Sequence, residues 1–243
     1  MVPATEGRAA LIVAHGSPSD PEGPEQAVRA LAGSVAGLLP GWAIRGATLA
    51  GDGTLEQAVG ELPGSRPVIC PLFMSDGWFV SSELPRRLRK AGMVSCNMTG
   101  PVGMEPRLWR LCAEFALAET EARNLKPENT ILLIAAHGSP TDTRPRKATE
   151  HAAAIIRAAG RFKSIYLGFV DERPYLSEAA RVERPAICLP FFAGRAGHVE
   201  ADIPAALVNA RFPGPLLNPI GVHPDIARII SEMIAKHSRG IAA

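Results

Sequence analysis

Short apolar runs alternate along the chain with segments whose apolar residues recur at helical spacing. A short continuous apolar run is typical of a strand buried on both faces of a parallel sheet, and i, i+3, i+4 spacing indicates a helix packed against that sheet. In the first half this pattern predicts four strands and four helices. The strands are Ala10–His15, Trp42–Leu49, Pro67–Phe73 and Met93–Met98, and the helices are Pro24–Leu39, Leu55–Leu62, Glu83–Ala91 and Pro106–Arg123.

The same order restarts after Asn124–Asn129, a polar segment that contains proline. Here the predicted strands are Thr130–Ala136, Ser164–Val170, Pro185–Phe192 and Pro215–Leu217, and the predicted helices are Pro145–Ala159, Leu176–Arg181, Val199–Ala210 and Pro224–His237. Strands that alternate with helices through short connections favour an α/β fold with parallel sheets. We therefore expect two tandem domains, residues 1–126 and 127–243, each a parallel sheet flanked by helices, with a cleft between them.

Three motifs recur in the same order in the two halves, which indicates a tandem duplication. "AHGSP" occurs at Ala14–Pro18 and Ala136–Pro140, "VICPLFM" is matched by "AICLPFF", and "SSELPRRL" is matched by "EADIPAAL". The repeat is about 120 residues long, which is the size of a domain and not of a solenoid unit.

Composition narrows the class of protein. Of 243 residues, 47% are hydrophobic and 21% are charged, so a packed core is expected and disorder is not. A net charge of +2 gives no reason to expect nucleic acid as a partner. The four cysteines form no C-x-x-C pair, and no apolar run is long enough to span a membrane. Without a signal-like N-terminus, we expect a cytoplasmic protein, and the internal duplication favours a monomer.

Two histidines of the second half are candidates for chemistry. Functional groups of parallel α/β sheets gather where the strands end, and His137 follows a predicted strand directly. His198 follows the next-but-one strand, after a glycine-containing loop, and opens a helix. Neutral imidazoles bind divalent transition ions and accept protons near neutral pH. The alternative is that each histidine is a hydrogen-bonded structural residue in a turn.

Charged residues near these histidines extend the candidate site. Asp202 lies four positions after His198 on the predicted helix, so it is a candidate partner of the imidazole, with Glu200 close by. It could equally serve the helix N-terminus. A basic rim that would attract a polycarboxylate is predicted from four cations, which could instead be ordinary solvated charges: Arg144, Arg146, Lys147 and Arg195.

The first half lacks the second histidine. Alignment of the two copies places Phe79 where His198 stands and Trp78 where Gly197 stands, so His15 has no imidazole partner. The loop that follows His15 is acidic, whereas the matching loop of the second half is basic. We expect a degenerate site in the first half, at His15 and Phe79, and a working site in the second.

A strand ending in "AHGS", followed by "GHVEADIP" after the third strand, resembles the class II chelatases of the CbiX type. These enzymes insert cobalt or iron into sirohydrochlorin during cobalamin and sirohaem biosynthesis. The resemblance implies that His137 and His198 bind the metal and accept pyrrole protons. It also implies a glutamate after the second strand. No residue matches that place directly; "LGFVDERPYL" offers Asp171 and Glu172 one or two positions away, and Glu172 is the candidate.

The activity expected from this resemblance is insertion of Co²⁺ or Fe²⁺, as substrate, into a tetrapyrrole by a chelatase of the lyase class, with a sirohydrochlorin cobaltochelatase as the favoured assignment. No cofactor is expected, since neither GxGxxG nor GxxxxGK[ST] occurs. The alternative is a non-catalytic tetrapyrrole- or metal-binding protein descended from a chelatase.

Overall fold

Strands and helices alternate through the whole computed structural model, which describes residues 8–64, 66–195 and 197–239. The strands are β1 (Arg8–Ala14), β2 (Trp42–Thr48), β3 (Val68–Leu72), β4 (Asn97–Met98), β5 (Ile131–Ala136), β6 (Ser164–Phe169) and β7 (Ala186–Pro190). The α-helices are α1 (Glu22–Leu38), α2 (Thr54–Gly60), α3 (Leu84–Lys90), α4 (Pro106–Glu121), α5 (Arg144–Ala158), α6 (Leu176–Ala179), α7 (Ile203–Asn209) and α8 (Ile226–Arg239).

The strands form two parallel sheets, as the alternation predicts. The first sheet has the order β2-β1-β3-β4 and the second has the order β6-β5-β7. β1 and β5 are the apolar strands that precede the two AHGSP motifs, and each pairs in parallel with strands on both sides. Leu11 and Leu133, one in each of these strands, are fully buried. Both AHGSP motifs therefore leave the carboxyl end of a strand in the interior of its sheet.

Three predicted elements differ in the structure. The strand predicted over Met93–Met98 is present only as the two residues of β4. Pro215–Leu217 is not a strand of any length, and only an isolated bridge pairs Leu216 with Cys188 of β7. The helix predicted over Val199–Ala210 opens as a π-helical turn, His198–Asp202, before α7 begins. The matching segment of the first half has the same form, with a π-helical turn at Phe79–Glu83 before α3. Hydrophobic periodicity does not distinguish an ordinary α-helix from one that opens with a π-helical turn, because the π-helical turn continues directly into the α-helix.

Cys70 of β3 and Cys188 of β7 occupy matching core positions and are fully buried. Burial in the apolar interior raises the pKa of the Cys70 thiol to about 12 and raises that of Cys188 as well. These cysteines therefore act as small hydrophobic side chains rather than as nucleophiles or metal ligands.

The compact units of the fold do not coincide with the predicted division at residues 126 and 127. The described residues up to Val102 form one unit together with α8, and Gly103–His223 form the other. α8 packs on α1 and β3, whereas α4 packs on α5 and β7. Each half of the sequence thus supplies its last helix to the unit built around the other half's sheet. Among the described residues, none of the helices combines the length and the apolar character needed to cross a membrane.

Because α8 packs in the first unit, a substitution in α8 should affect that unit and not the second. Ile230 is fully buried in α8, so Ile230→Ala should lower the free energy of unfolding by about 2–5 kcal/mol through loss of packing. Hydrogen exchange should accelerate at the amides of β1 and β3 and stay unchanged at those of β5 and β7. Lys236→Ala, at an exposed position of the same helix, is the control. Faster exchange at β5 and not at β1 would contradict the assignment of α8 to the first unit.

Candidate functional site

His137 is held in place by the turn that ends β5. Gly138 adopts φ +73°, and a Cβ at this position would lie 2.7 Å from Glu172 Cγ and 2.9 Å from Phe169 Cβ. Only glycine therefore combines this backbone conformation with this close approach. The Asp171 N–H donates to the carbonyl oxygen of His137 at 3.0 Å, which continues the β5–β6 pairing one residue past the strands. The imidazole thus leaves the sheet edge at a fixed place, with 47% of its side chain exposed.

His198 reaches the same edge of the sheet from the loop after β7. β5 and β7 are paired in parallel, so their carboxyl ends are neighbours, about 5 Å apart. Gly197, with φ +25°, precedes the π-helical turn that begins with His198. The ring centroids of His137 and His198 lie 4.5 Å apart, with the ring planes at 85°. The predicted convergence of these two histidines is therefore present.

The hydrogen bonds of the two rings fix their tautomers. His198 Nδ1 lies 2.6 Å from Asp202 Oδ2, in the i, i+4 pairing that the sequence spacing predicts. His137 Nδ1 lies 3.0 Å from the carbonyl oxygen of Gly138. A carbonyl or ionised carboxylate oxygen only accepts, so the proton of each neutral ring is assigned to Nδ1. Each Nε2 then carries the lone pair, which is the arrangement of a metal-binding or proton-accepting histidine.

A second carboxylate, Asp171, lies beside His137. Its Oδ2 atom is 3.3 Å from His137 Nδ1. Glu172, the carboxylate that the sequence favoured for this place, does not contact His137. Its carboxylate accepts from the Ser139 N–H at 3.1 Å and pairs with Arg146 at 2.6 Å. Of the two acidic residues, Asp171 is therefore the one that contacts His137, while Glu172 supports the turn after β5. The sequence places both at the sheet edge but does not say which one turns inward.

The four cations of the predicted basic rim differ in their surroundings. Arg146 is paired with Glu172 and stacks over Phe169, with its guanidinium carbon 4.6 Å from the ring centroid. Arg144 is paired with Asp142 at 2.7 Å. The charges of these two arginines are therefore largely neutralised within the protein.

The other two rim residues keep their charge for solvent or a ligand. Lys147 is exposed and, within the part of the chain that the structure describes, forms no ion pair with a carboxylate. Arg195 is exposed and donates to the neutral side chain of Asn218 at 2.7 Å. Electrostatic attraction of an anion to this rim would thus come mainly from Lys147 and Arg195.

Glu200 is exposed and has no hydrogen bond or ion pair to either histidine among the described residues. No group of three or more His, Cys, Asp or Glu side chains is placed to hold a metal ion in residues 8–64, 66–195 and 197–239. The candidate site is therefore a pair of histidines with carboxylates behind them. Such a pair leaves most coordination positions of an ion open to other ligands.

The first unit has the same geometry with one ring changed. The centroids of His15 and Phe79 lie 4.3 Å apart, with the ring planes at 77°, which nearly reproduces the His137–His198 arrangement. His15 Nδ1 also lies 3.0 Å from the carbonyl oxygen of the following glycine, Gly16. The phenyl ring therefore occupies the place of the second imidazole and offers no lone pair.

The carboxylates have changed with the ring. Ala50, whose N–H donates to the carbonyl oxygen of His15, stands where Asp171 stands in the second unit. Glu83 stands where Asp202 stands and is bound by Arg86 and Arg87 at 2.7 and 2.9 Å. The hydrogen bonds from Arg86 and then Arg87 lower the pKa of Glu83 to about 2. The first unit has thus lost the carboxylate support of its histidine as well as the second histidine.

Comparisons with known proteins agree on one family. The sequence model of the CbiX family matches residues 9–117 and 131–237. A protein of Halobacterium salinarum described as a probable sirohydrochlorin cobaltochelatase is 23% identical over 176 residues, which cover 62% of this chain and 60% of that protein. The chain thus matches less than two thirds of that relative's length.

Solved structures show the same fold. The structure of CbiX, described as the terminal enzyme for biosynthesis of sirohaem in denitrifying bacteria, has a TM-score of 0.87 and 42% identity, covering 94% of this chain and 99% of that one. SirB from Bacillus subtilis with Fe³⁺ has a TM-score of 0.76 and 15% identity, covering 96% and 97% of the two chains. SirB from Bacillus subtilis subspecies spizizenii in complex with cobalt has a TM-score of 0.69 and 13% identity, covering 96% of each. At these lower identities, the SirB matches are evidence of the fold alone.

The contact between Asp202 and His198 predicts an effect on metal affinity. Asp202→Asn removes the charge that orients the ring, so the affinity for Co²⁺ should fall about 10- to 100-fold. Isothermal titration calorimetry with Co²⁺ measures this change. Glu200→Gln removes an exposed carboxylate two residues away and should leave the affinity unchanged. Equal losses in both variants would show that Asp202 acts only through the net charge of the region.

The matching ring geometry of the two units predicts that a pair of metal-binding histidines can be rebuilt in the first unit. In a His198→Ala background, Phe79→His should restore about one bound equivalent of Co²⁺ per chain, because the new imidazole would stand beside His15. The affinity should be lower than at the second unit, since Ala50 offers no carboxylate. Equilibrium dialysis measures the stoichiometry, with Phe79→Leu as the control. If Phe79→His binds no more Co²⁺ than Phe79→Leu, the first unit cannot form a pair of metal-binding histidines.

Proposed function

Because the chain belongs to the CbiX family, we propose that it inserts a divalent metal ion, Co²⁺ or Fe²⁺, into sirohydrochlorin without ATP or any other cofactor. The observation that carries the proposal is the pair of facing imidazoles at His137 and His198, 4.5 Å apart. Each ring has its Nδ1 atom engaged by an acceptor, which leaves Nε2 for the metal or a proton. One relative is described as the terminal enzyme for biosynthesis of sirohaem and another as a probable sirohydrochlorin cobaltochelatase, and both support sirohydrochlorin as the substrate.

The site is suited to an ion that must leave again. Two imidazole nitrogens bind a divalent transition ion through a small part of its coordination sphere, so the pyrrole nitrogens can replace the other ligands one after another. A closed set of four protein ligands would instead hold the ion as a structural site does. The open pair at His137 and His198 therefore fits a metal that is substrate, not resident cofactor.

Proton removal is the second task of these histidines. Pyrrole N–H groups must lose their protons as the metal binds, and a neutral imidazole accepts a proton at Nε2. The resulting imidazolium at His198 is stabilised by Asp202, which lies 2.6 Å from Nδ1. Asp171, 3.3 Å from Nδ1 of His137, stabilises the other ring in the same way. Neither carboxylate has to change its protonation state, because each only orients a ring and balances its charge.

Substrate carboxylates are attracted by the cations that remain uncompensated. Lys147 and Arg195 are exposed, and both lie in segments that adjoin the histidine loops. We assign them the larger part of substrate attraction in the second unit. Arg146 and Arg144, each bound to a carboxylate of the protein, instead stabilise the loops that carry the site.

Imidazole nitrogens suit both cobalt and iron, so the site offers no strong preference by ligand type. The description of CbiX, which is 42% identical, names sirohaem, an iron compound. The description of the Halobacterium salinarum relative names a cobaltochelatase. We propose that either ion is accepted and that supply decides which is used. Initial rates with Co²⁺ and with anaerobic Fe²⁺ at equal free concentrations compare the two directly.

The proposal predicts the effect of removing one imidazole. His198→Ala should lower the rate of metal insertion by about 100-fold or more, since it removes a metal ligand and a proton acceptor together. The absorbance change of sirohydrochlorin with Co²⁺, corrected for the spontaneous rate, is the measurement. His151→Ala, at an exposed position on α5, is the matched control and should retain the wild-type rate.

Two results would count against the proposal. A His198→Ala variant as fast as wild type would show that the histidine pair is not the site of insertion. Wild-type protein that binds sirohydrochlorin without accelerating insertion would favour the alternative of a non-catalytic binding protein.

A further inference from the structure

A single peptide group, the link between Gly138 and Ser139, connects His137 to a charged pair behind the histidine site. Its carbonyl oxygen, on Gly138, lies 3.0 Å from His137 Nδ1. Its N–H, on Ser139, donates to Glu172 Oε1 at 3.1 Å. A peptide group is planar, so the direction of its N–H fixes the direction of its carbonyl. The carboxylate of Glu172 therefore acts on the His137 ring through one rigid group.

Arg146 holds the carboxylate of Glu172 in this place. Its Nε and Nη2 atoms donate to Glu172 Oε2 at 2.8 and 2.6 Å, which leaves Oε1 for the Ser139 N–H. Arg146 Nη2 also donates to the carbonyl oxygen of Arg173, and the guanidinium stacks over Phe169. The side chains of Arg146 and Glu172 are only 28% and 15% exposed. The pair is thus held from several sides and largely shielded from water.

Glu172 is packed against the turn as well as bonded to it. A Cβ at Gly138 would lie 2.7 Å from Glu172 Cγ and 2.9 Å from Glu172 Oε1. The glutamate thus fills the space that the side chain of any other residue at position 138 would need. Its carboxylate has little room to turn away from the Ser139 N–H.

The charge of Glu172 strengthens the contact between the peptide and the ring. A hydrogen bond to an ionised carboxylate is about twice as strong as one between neutral groups. Hydrogen bonds in a chain polarise one another, so an N–H that donates to a carboxylate makes the carbonyl oxygen of the same peptide a better acceptor. That carbonyl then keeps the proton of His137 on Nδ1, which leaves the lone pair on Nε2.

The first unit has the same turn without this glutamate. His15 Nδ1 lies 3.0 Å from the carbonyl oxygen of Gly16, as in the second unit. Gly51, however, stands where Glu172 stands, and it has no side chain to accept from the Ser17 N–H. The unit that lacks the second histidine thus also lacks the carboxylate behind the first one.

The charge at the position of Arg146 is reversed in the first unit. Glu25 stands there, since Glu25 and Arg146 each follow a matching proline, Pro24 or Pro145. Glu25 accepts from the N–H and the hydroxyl of Thr48, both at 2.8 Å. A carboxylate at this helix position therefore binds the end of the second strand and not the turn that follows the histidine.

We propose that Glu172 is a positioning residue for metal insertion, which holds His137 through the Gly138–Ser139 peptide with Nδ1 protonated and Nε2 open, and that Arg146 keeps its carboxylate in place. This inference rests on the proposed function, in which His137 Nε2 takes the metal or a proton. Within the part of the chain that the structure describes, Glu172 forms no hydrogen bond to either imidazole. It acts on the ring only through the peptide.

The first test is the affinity of the full-length protein for Co²⁺, measured by isothermal titration calorimetry. Glu172→Ala should weaken binding about tenfold, at the lower end of the range for groups that orient a metal-binding histidine. Glu178→Ala is the matched control, because Glu178 pairs with Arg173 in the segment after β6 and should leave the affinity unchanged. Circular dichroism and thermal unfolding establish that each variant is folded.

Two double variants separate the hydrogen bond to the turn from the ion pair. Arg146→Met with Glu172→Gln removes both charges but keeps an acceptor for the Ser139 N–H, so Co²⁺ affinity should stay within about threefold of wild type. Arg146→Glu with Glu172→Arg keeps an ion pair, but arginine only donates, so binding should be as weak as in Glu172→Ala. The opposite ranking would show that the ion pair matters and not the acceptor, and would overturn the inference.

The ring nitrogens of His137 provide a readout that general loosening of the fold would not move. Their ¹⁵N chemical shifts report which nitrogen carries the proton. In metal-free Glu172→Ala the two shifts of His137 should move towards each other, because the Nδ1–H form loses population. The shifts of His151, on the exposed side of α5, should not change.

The outcomes separate this inference from the function on which it rests. If wild-type protein neither binds Co²⁺ nor accelerates its insertion, the proposed function fails and the inference falls with it. If wild type does both and Glu172→Ala keeps the wild-type affinity, Glu172 is not a positioning residue and the function stands. A loss of affinity with unchanged shifts of His137 would also overturn the inference, since the effect would not pass through the peptide.

Discussion

Parallel pairing of β5 with β7 is the constraint on which the candidate site depends. Parallel neighbours end at the same edge of a sheet, so two loops separated by some fifty residues in sequence emerge about 5 Å apart. β5 is buried on both faces, and its pairing with β7 is fixed over five residues. A shift of register would move His137 along the sheet relative to the loop of β7 and separate it from His198. The approach of the two imidazoles thus relies on the apolar core beneath them.

The duplication places two different ring pairs on one edge geometry. In each unit a ring from the loop after the third strand stands nearly perpendicular to a histidine from the first strand, at almost the same separation. What differs is whether that ring offers a lone pair or an apolar face. The carboxylates follow the ring: Asp202 orients an imidazole, whereas Glu83 is bound to two arginines and supports a basic helix. A change at one ring position is therefore accompanied by a change in the electrostatics around it.

Charge distribution also separates roles within the second unit. Arginines and carboxylates close to the histidine loops pair with one another, which stabilises the loops but consumes the charge that a ligand could use. Cations that remain exposed, such as Lys147 and Arg195, are the ones that can attract an anion at a distance. Net composition conceals this difference, because the whole chain carries a formal charge of only +2.

The sequence by itself determined the α/β architecture, the duplication and the convergence of His137 with His198, because apolar runs, helical spacing and repeated motifs are local signals. It also predicted the Asp202 contact, since i, i+4 neighbours on a helix share a face. Only the tertiary structure decided that Asp171 and not Glu172 lies beside His137, and that α4 and α8 pack in the unit of the other half. The first outcome depends on the direction of side chains just after a strand, and the second depends on which helix covers which sheet. Those choices are set by contacts between residues far apart in sequence, which the pattern of one segment cannot report.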